Sequence, residues 1–110
     1  YRQSVAVIKE RLPFPAVIGR ICPRFCETSC RRNLVDEPVA INGLKRFVAD
    51  VEKDGGEKIK PFMAPSTGRK VAVIGGGVEG LSAGYFSARL GHSAVVLEAS
   101  SKPGGLLRNA

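Results

Sequence analysis

The chain has 110 residues, a net charge of +7, 44% hydrophobic residues, 25% charged residues and 13 glycines. This composition fits one small globular domain or two smaller pieces, and the clustering of the glycines argues against disorder. No apolar run approaches the roughly 18 residues of a membrane span, and no signal peptide is visible. No nucleic-acid-binding motif accompanies the positive charge. We interpret this charge as a solvated basic surface, with an anionic partner as the alternative.

Residues 1–54 are predicted to be mainly helical. Ser4 is expected to cap a first short helix, and the prolines in residues 12–21 predict extended or irregular chain there, because a residue before proline avoids the helical region. A second short helix is expected to start near Pro23, since proline is tolerated in a first helical turn.

A longer helix is predicted to follow, with Asp36 as its cap and Gly55 as its end. Its apolar residues recur every three or four positions, which is the spacing of one helical face. These residues are Ile41, Leu44, Phe47, Val48 and Val51. Residues 55–69 contain two prolines and three glycines, so we interpret them as a linker.

Residues 70–110 predict a strand–helix–strand unit. The run KVAVIGGG is a short β-branched segment that ends in glycines, and SAVVLEA is a second apolar run that ends in an acid. Between them the apolar residues have helical spacing, and Gly91 is expected to terminate the helix.

Three glycines, Gly75, Gly77 and Gly80, form a G-x-G-x-x-G motif between the first strand and the helix, and Glu98 follows Gly80 by 18 residues. In a dinucleotide-binding turn the glycines permit a tight turn, close approach to a pyrophosphate and close helix–strand packing, and the acid binds ribose hydroxyls. The motif therefore predicts a nucleotide site, although Glu79 within the first helical turn places a negative charge near the expected phosphates. A glycine-rich turn without a ligand is the alternative.

The chain contains three cysteines, Cys22, Cys26 and Cys30, spaced four residues apart. In a continuous helix the outer two would be about 12 Å apart, which is long for one small cluster. The three thiols therefore need not serve one metal centre; free thiols and a zinc site completed by water are the alternatives. The odd cysteine count favours the reducing cytoplasm.

Two stretches resemble known proteins. The glycine pair Gly104-Gly105 in SSKPGGLLR resembles flavoproteins related to glutathione reductase, and this resemblance favours FAD as the nucleotide. The segments PFPAVIGRICPRFCETSCRRNLVDEPVAINGLKRFVAD and VAVIGGGVEGLSAGYFSARLGHSAVVLEASSKPGGLLR together resemble the small (beta) subunit family of NADPH-dependent glutamate synthase. The amino-terminal part of dihydropyrimidine dehydrogenase and related NAD(P)H-linked flavin and iron–sulfur oxidoreductases share this pattern.

The resemblance implies an α+β fold: a partial amino-terminal helical domain of the 4Fe-4S type over residues 1–54, then a truncated Rossmann-like βαβ FAD-binding unit over residues 70–110. It implies that Cys22 and Cys26 ligate one 4Fe-4S cluster and that Cys30 joins upstream cysteines on a second. The parent enzyme would pass electrons from NAD(P)H, bound outside this chain, through FAD and the clusters to a large subunit or downstream domain. We expect the chain to be an internal fragment that contains no catalytic residue and is inactive alone.

The chain departs from the family pattern at two positions besides Glu79. Ile18 stands where many relatives have a cysteine, and Lys45 stands where a relative has a cluster ligand, so no ligand role is carried over to either. The alternative function is a non-catalytic docking or assembly module without a cofactor. We also expect the isolated chain to self-associate, because a two-stranded sheet leaves strand edges unpaired.

Overall fold

The structure, a computed structural model, describes residues 1–56 and 58–108, and it divides into two compact units, Tyr1–Pro61 and Phe62–Ala110. The first unit contains the helices α1 (Arg2–Lys9), α2 (Pro15–Ile21), α3 (Phe25–Thr28) and α4 (Ile41–Asp54). The second unit contains β1 (Lys70–Ile74), α5 (Val78–Arg89) and β2 (Ser93–Leu97). Short 3-10 turns occupy Arg31–Leu34 and Gly105–Arg108. Within the described ranges, every helix is too short or too polar to cross a membrane.

The helices α1 and α2 of the first unit pack against α4. The core of this unit contains Val5 of α1 and two residues of α4, Val48 and Ala49. The helix α2 approaches α4 closely at Gly19, where a Cβ atom would lie 2.9 Å from the Cβ atom of Arg46. Only a residue without a side chain permits this approach, so Gly19 sets the distance between the two helices.

The extended or irregular conformation predicted for residues 12–21 is found over residues 12–14 but is wrong for Pro15–Ile21, which form α2. Proline at the first helical position costs no hydrogen bond, since that N–H group has no partner within the helix. The restriction on the residue before proline holds for both such residues of this segment: Leu12 lies outside the helices, and Phe14 is non-helical with φ −124° and ψ 62°.

Two predicted helix starts in the first unit are also wrong. The first helix starts at Arg2 without a side-chain cap from Ser4. The short helix expected near Pro23 is present as α3, which starts at Phe25, so Pro23 lies before its first turn. The longest helix starts at Ile41 instead of near Asp36, whose carboxylate pairs with the Arg32 guanidinium. The ion pair holds the pKa of Asp36 below its usual range. The end of this helix at Gly55 is confirmed.

The apolar face predicted for the longest helix is only partly buried. Val48 is 8% exposed, whereas Ile41 is 41% exposed, Leu44 is 57% exposed and Phe47 is 49% exposed. The three exposed residues line an open groove of about 610 Å³ together with residues of α1. The helical periodicity thus predicted the common face correctly, but most of that face lies outside the core.

The second unit has the predicted strand–helix–strand order, and its two strands pair in parallel from Lys70 opposite Ser93 to Ile74 opposite Leu97. Alternate residues of both strands are half-buried beneath α5, which packs against both strands. The opposite face of the sheet is exposed; Ile74, for example, is 81% exposed. The predicted fold class, a helical domain followed by a Rossmann-like βαβ unit, is confirmed.

The division between the units lies inside the predicted linker, residues 55–69. Its second part, residues 62–69, is hydrogen-bonded to the turn after α5: the Ala64 N–H donates to the Arg89 carbonyl at 2.8 Å, and the Thr67 N–H donates to the Gly91 carbonyl at 2.9 Å. The Thr67 hydroxyl also lies 2.6 Å from Nδ1 of His92. This 62–69 segment is therefore an ordered part of the second unit.

Candidate cofactor sites

The predicted nucleotide site lies at the turn that joins β1 to α5. The chain leaves the strand at Ile74 and turns at Gly75, whose φ of +99° is a conformation that side-chain-bearing residues rarely adopt. Gly77 is the residue before the first residue of α5, Val78. A Cβ atom on Gly80 would lie 1.8 Å from the Gly75 carbonyl oxygen. The glycines at 75 and 80 are thus required by the turn itself.

Gly77 has a different environment. A Cβ atom there would meet only Oε2 of Glu79, at 3.4 Å, so the side of Gly77 on which a side chain would stand is open, although Gly105 lies close to its Cα atom. An open glycine at a helix start, where the first N–H groups have no partner within the helix, fits the pyrophosphate of a dinucleotide. The Glu79 carboxylate lies beside this backbone, and its charge opposes a phosphate there.

Glu98 follows β2 directly, and its carboxylate is hydrogen-bonded to the glycine turn between β1 and α5. Oε2 accepts a hydrogen bond from the Gly76 N–H at 2.5 Å, and Oε1 accepts from the Ser100 N–H at 2.8 Å and lies 2.8 Å from the Ser100 hydroxyl. The Ser100 N–H and hydroxyl and then the Gly76 N–H lower the pKa of Glu98 from 4.5 to about 2. The exposed carboxylate is therefore ionised near neutral pH, and both of its oxygens are held by hydrogen bonds within the chain.

The second glycine pair lies against the same turn. The Gly104 N–H donates to the Gly76 carbonyl at 2.8 Å, and a Cβ atom on Gly105 would lie 3.1 Å from Cα of Gly77. The structure therefore brings together all six residues predicted for the nucleotide site. These are Gly75, Gly77, Gly80, Glu98, Gly104 and Gly105. Sequence reasoning missed Gly76 and Ser100, which orient the Glu98 carboxylate; the serine two residues after the acid was the available signal.

The hydrogen bonds to Glu98 predict a pH dependence of stability. Because the pKa of Glu98 is lower in the folded chain, its contribution is present above pH 4.5 and is lost as the pH falls towards about 2. We expect the wild-type chain to lose more free energy of unfolding than Glu98→Gln over this range, as measured by urea unfolding at several pH values. Ser100→Ala should reduce the difference. Equal losses for the wild type and Glu98→Gln would contradict the prediction.

The three cysteines occupy separate positions in the first unit. Cys22 follows α2 and is half-buried, Cys26 is exposed within α3, and Cys30 is half-buried before the following 3-10 turn; all three thiols are free. Among residues 1–56 and 58–108, no three side chains from His, Cys, Asp and Glu are arranged to hold a metal ion. Thiols are the ligands that iron–sulfur clusters require, so the donor type fits such a cluster, although three thiols do not complete one.

The Cys30 sulfur has several backbone donors. The Val39 and Arg32 N–H groups hold the pKa of the Cys30 thiol below its usual value, with a smaller effect from the Arg32 charge. Hydrogen bonds from backbone N–H groups to cysteine sulfur also stabilise cluster ligands and tune cluster potentials. The chemical environment of Cys30 is therefore suited to a metal-bound thiolate.

Comparison with known proteins gives matches in both units. Residues 1–57 match the family described as dihydropyrimidine dehydrogenase domain II, 4Fe-4S cluster, and residues 73–110 match the NAD(P)-binding Rossmann-like domain. Over 97% of its length the chain is 40% identical to the NADP(+)-dependent formate dehydrogenase subunit beta of Moorella thermoacetica. It is 39% identical over 86% to the glutamate synthase (NADH) of Schizosaccharomyces pombe, and 36% identical over 99% to the NAD-dependent dihydropyrimidine dehydrogenase subunit PreT of Escherichia coli.

These relatives are much longer than the present sequence. The chain spans 18% of the formate dehydrogenase subunit, 4% of the glutamate synthase and 27% of the dihydropyrimidine dehydrogenase subunit. The similarity therefore concerns one region that these oxidoreductases share.

Proposed function

Because the chain belongs to the family of dihydropyrimidine dehydrogenase domain II, 4Fe-4S cluster, we propose that it is the electron-transfer region of an NAD(P)H-dependent oxidoreductase. The cofactors would supply the redox chemistry, in which hydride from NAD(P)H reduces FAD and single electrons then leave through 4Fe-4S clusters. The residues of this chain bind and orient the cofactors. The observation that carries the proposal is the order of two units in one chain. A helical unit that contains the cysteines is followed by a glycine turn, and the ionised Glu98 carboxylate accepts a hydrogen bond from this turn.

The proposed nucleotide at the glycine turn is FAD, and NAD(P)H binds outside these 110 residues. The open side of Gly77 and the N-terminus of α5 are suited to the pyrophosphate. Glu98 accepts hydrogen bonds from the ribose hydroxyls. The choice of FAD over a nicotinamide nucleotide depends on the Gly104-Gly105 pair, which resembles a segment of flavoproteins and which lies against the turn in this chain.

The proposed clusters are of the 4Fe-4S type. Cys22 and Cys26 ligate one cluster, and Cys30 ligates a second. Because each cluster typically takes four ligands, the remaining ligands come from residues other than these three cysteines. Ligation by Cys30 is supported by the N–H groups that surround its sulfur.

The proposed electron acceptor is a partner subunit or a further catalytic domain of the same protein. Two of the relatives described above are named as subunits, which supports a partner chain. The three free thiols fit the reducing cytoplasm, which we include in the proposal.

A docking module without a cofactor is the second candidate function, and Glu79 is the observation that favours it. The side chain lies beside Gly77, where its negative charge would repel a pyrophosphate. In this alternative the helical unit binds a larger subunit and the glycine turn remains empty.

Serine substitution of the cysteines tests the proposal in the whole protein. We expect Cys22→Ser or Cys26→Ser to remove one cluster, measured as iron and acid-labile sulfide, and to leave the flavin content unchanged. Gly77→Ala is expected to have the reciprocal effect, because its Cβ atom occupies the open side of Gly77. Ser29→Ala is the matched control, since Ser29 is exposed and lies between two of the cysteines.

The iron and flavin contents of these variants distinguish the two candidate functions. Iron loss confined to the cysteine variants and flavin loss confined to Gly77→Ala would support both cofactor assignments. Purified protein that contains iron without flavin, and that does not take up added FAD, would refute the nucleotide assignment. Protein that binds neither cofactor but still binds a larger subunit would favour the docking module.

A further inference from the structure

A short chain of hydrogen bonds connects two of the cysteine-bearing segments to the start of α4. Glu27 follows Cys26 directly, and its Oε1 accepts a hydrogen bond from the Asn42 N–H at 2.7 Å. Nδ2 of Asn42 donates to the Gly19 carbonyl oxygen at 3.0 Å, three residues before Cys22. One residue of α4 therefore contacts both the end of α2 and the helix that carries Cys26.

Packing alone does not explain Asn42. The residue is 5% exposed, and its Oδ1 atom is buried without a hydrogen-bond partner in the described part of the chain. Burial of an amide with an unsatisfied oxygen reduces stability, so an apolar residue of similar size would serve better as a core residue. The amide is needed only for the bond from Nδ2 to the Gly19 carbonyl, which has no helical N–H partner at the end of α2.

Glu27 is the acceptor for an N–H group at the start of α4. Ala40 precedes α4 and contributes no side-chain cap, so the first N–H groups of the helix require another acceptor. The carboxylate of Glu27 provides it from 15 residues earlier in the sequence, and its negative charge is favourable at a helix N-terminus.

The segment between Cys22 and Cys26 needs such support. Cys22 ends α2 in an extended conformation, and Arg24 adopts a left-handed conformation with φ 62°. No regular element joins α2 to α3, so continuous helical hydrogen bonding does not set the separation of the two thiols. The end of α2 also packs on α4 at Gly19 and pairs with it through Arg20 and Asp50, whereas Asn42 is the residue of α4 that is hydrogen-bonded to both α2 and α3.

We infer that Glu27 and Asn42 are positioning residues that hold Cys22 and Cys26 at the separation required for a shared cluster. The inference rests on the proposed function, in which these two thiols ligate one 4Fe-4S cluster. Neither residue ligates iron; both act through the backbone of α2 and α3. Loss of either hydrogen bond increases the range of thiol separations, and the cluster is then bound less tightly.

The test measures iron release from the whole protein to a ferrous chelator under anaerobic conditions. Glu27→Ala and Asn42→Leu are expected to release iron from one cluster about 10- to 100-fold faster, as for other residues that orient metal ligands. Glu27→Gln keeps an oxygen acceptor and should restore most of the retention. Arg20→Gln is the matched control, because it removes an ion pair of 2.9 Å between α2 and α4 without changing either hydrogen bond.

Far-UV circular dichroism of the iron-free variants distinguishes positioning from folding. The inference requires that Glu27→Ala and Asn42→Leu keep the helical signal of the unaltered protein. It is overturned if both variants lose that signal, or if they release iron at the rate of the unaltered protein while Cys22→Ser loses a cluster. In the second case the proposed function still stands. If the unaltered protein binds no iron, the proposed function fails and the inference fails with it.

Discussion

Replacing Gly80 with alanine is expected to abolish the proposed binding of FAD and to destabilise the second unit by about 4 kcal/mol or more, which is exceptional for a single substitution. The new Cβ atom would lie 1.8 Å from the Gly75 carbonyl oxygen and 2.9 Å from its carbonyl carbon. Both contacts are to backbone, so no side-chain rotation can relieve them. The glycine turn must therefore open, and its opening separates the N-terminus of α5 from Glu98.

Urea unfolding followed by circular dichroism, together with titration by FAD, measures both effects. The matched control is Gly43→Ala in α4, where the new Cβ atom meets only the Ala40 Cβ atom at 3.6 Å. That variant should be stabilised by roughly 0.5–1 kcal/mol, because alanine loses less backbone entropy than glycine in a helix. Unchanged stability and FAD binding in Gly80→Ala would show that the turn is not as tight as the structure indicates.

Replacing Gly91 with alanine is expected to destabilise the second unit by about 3 kcal/mol or more, through a strained backbone and a direct collision. Gly91 has a φ of +83°, and a Cβ atom there would lie 2.0 Å from the Pro65 carbonyl oxygen. The alanine must displace the 62–69 segment, which is hydrogen-bonded to this turn through Ala64 and Thr67. The variant should therefore also increase proteolysis within that segment.

Gly68→Ala separates the two causes. Gly68 has a similar φ of +69°, but a Cβ atom there would have no neighbour within 4 Å. Its substitution should cost only the backbone strain of about 1–2 kcal/mol. If urea unfolding gave equal losses for the two variants, the collision with Pro65 would contribute nothing, and the packing of the 62–69 segment on the turn would be disproved.

The family and the fold class were predictable because the signals for both are local. The β-branched runs before Gly75 and before Glu98 are each bounded by turn residues, and the strands occur at these runs. The predicted membership in the glutamate synthase and dihydropyrimidine dehydrogenase group is confirmed by the matches in both units. The assignments of individual cofactor residues remain predictions.

Local sequence patterns were sufficient to predict the glycine turn, the position of its acidic partner, the two strands and the common apolar face of the longest helix, because each depends on residues close together in the chain. The start of that helix and the support of the turn depend instead on tertiary contacts. Glu27 caps a helix that starts 14 residues later, and the 62–69 segment packs on Gly91. Such contacts depend on the path of the backbone between distant residues, and local conformational preferences do not specify that path.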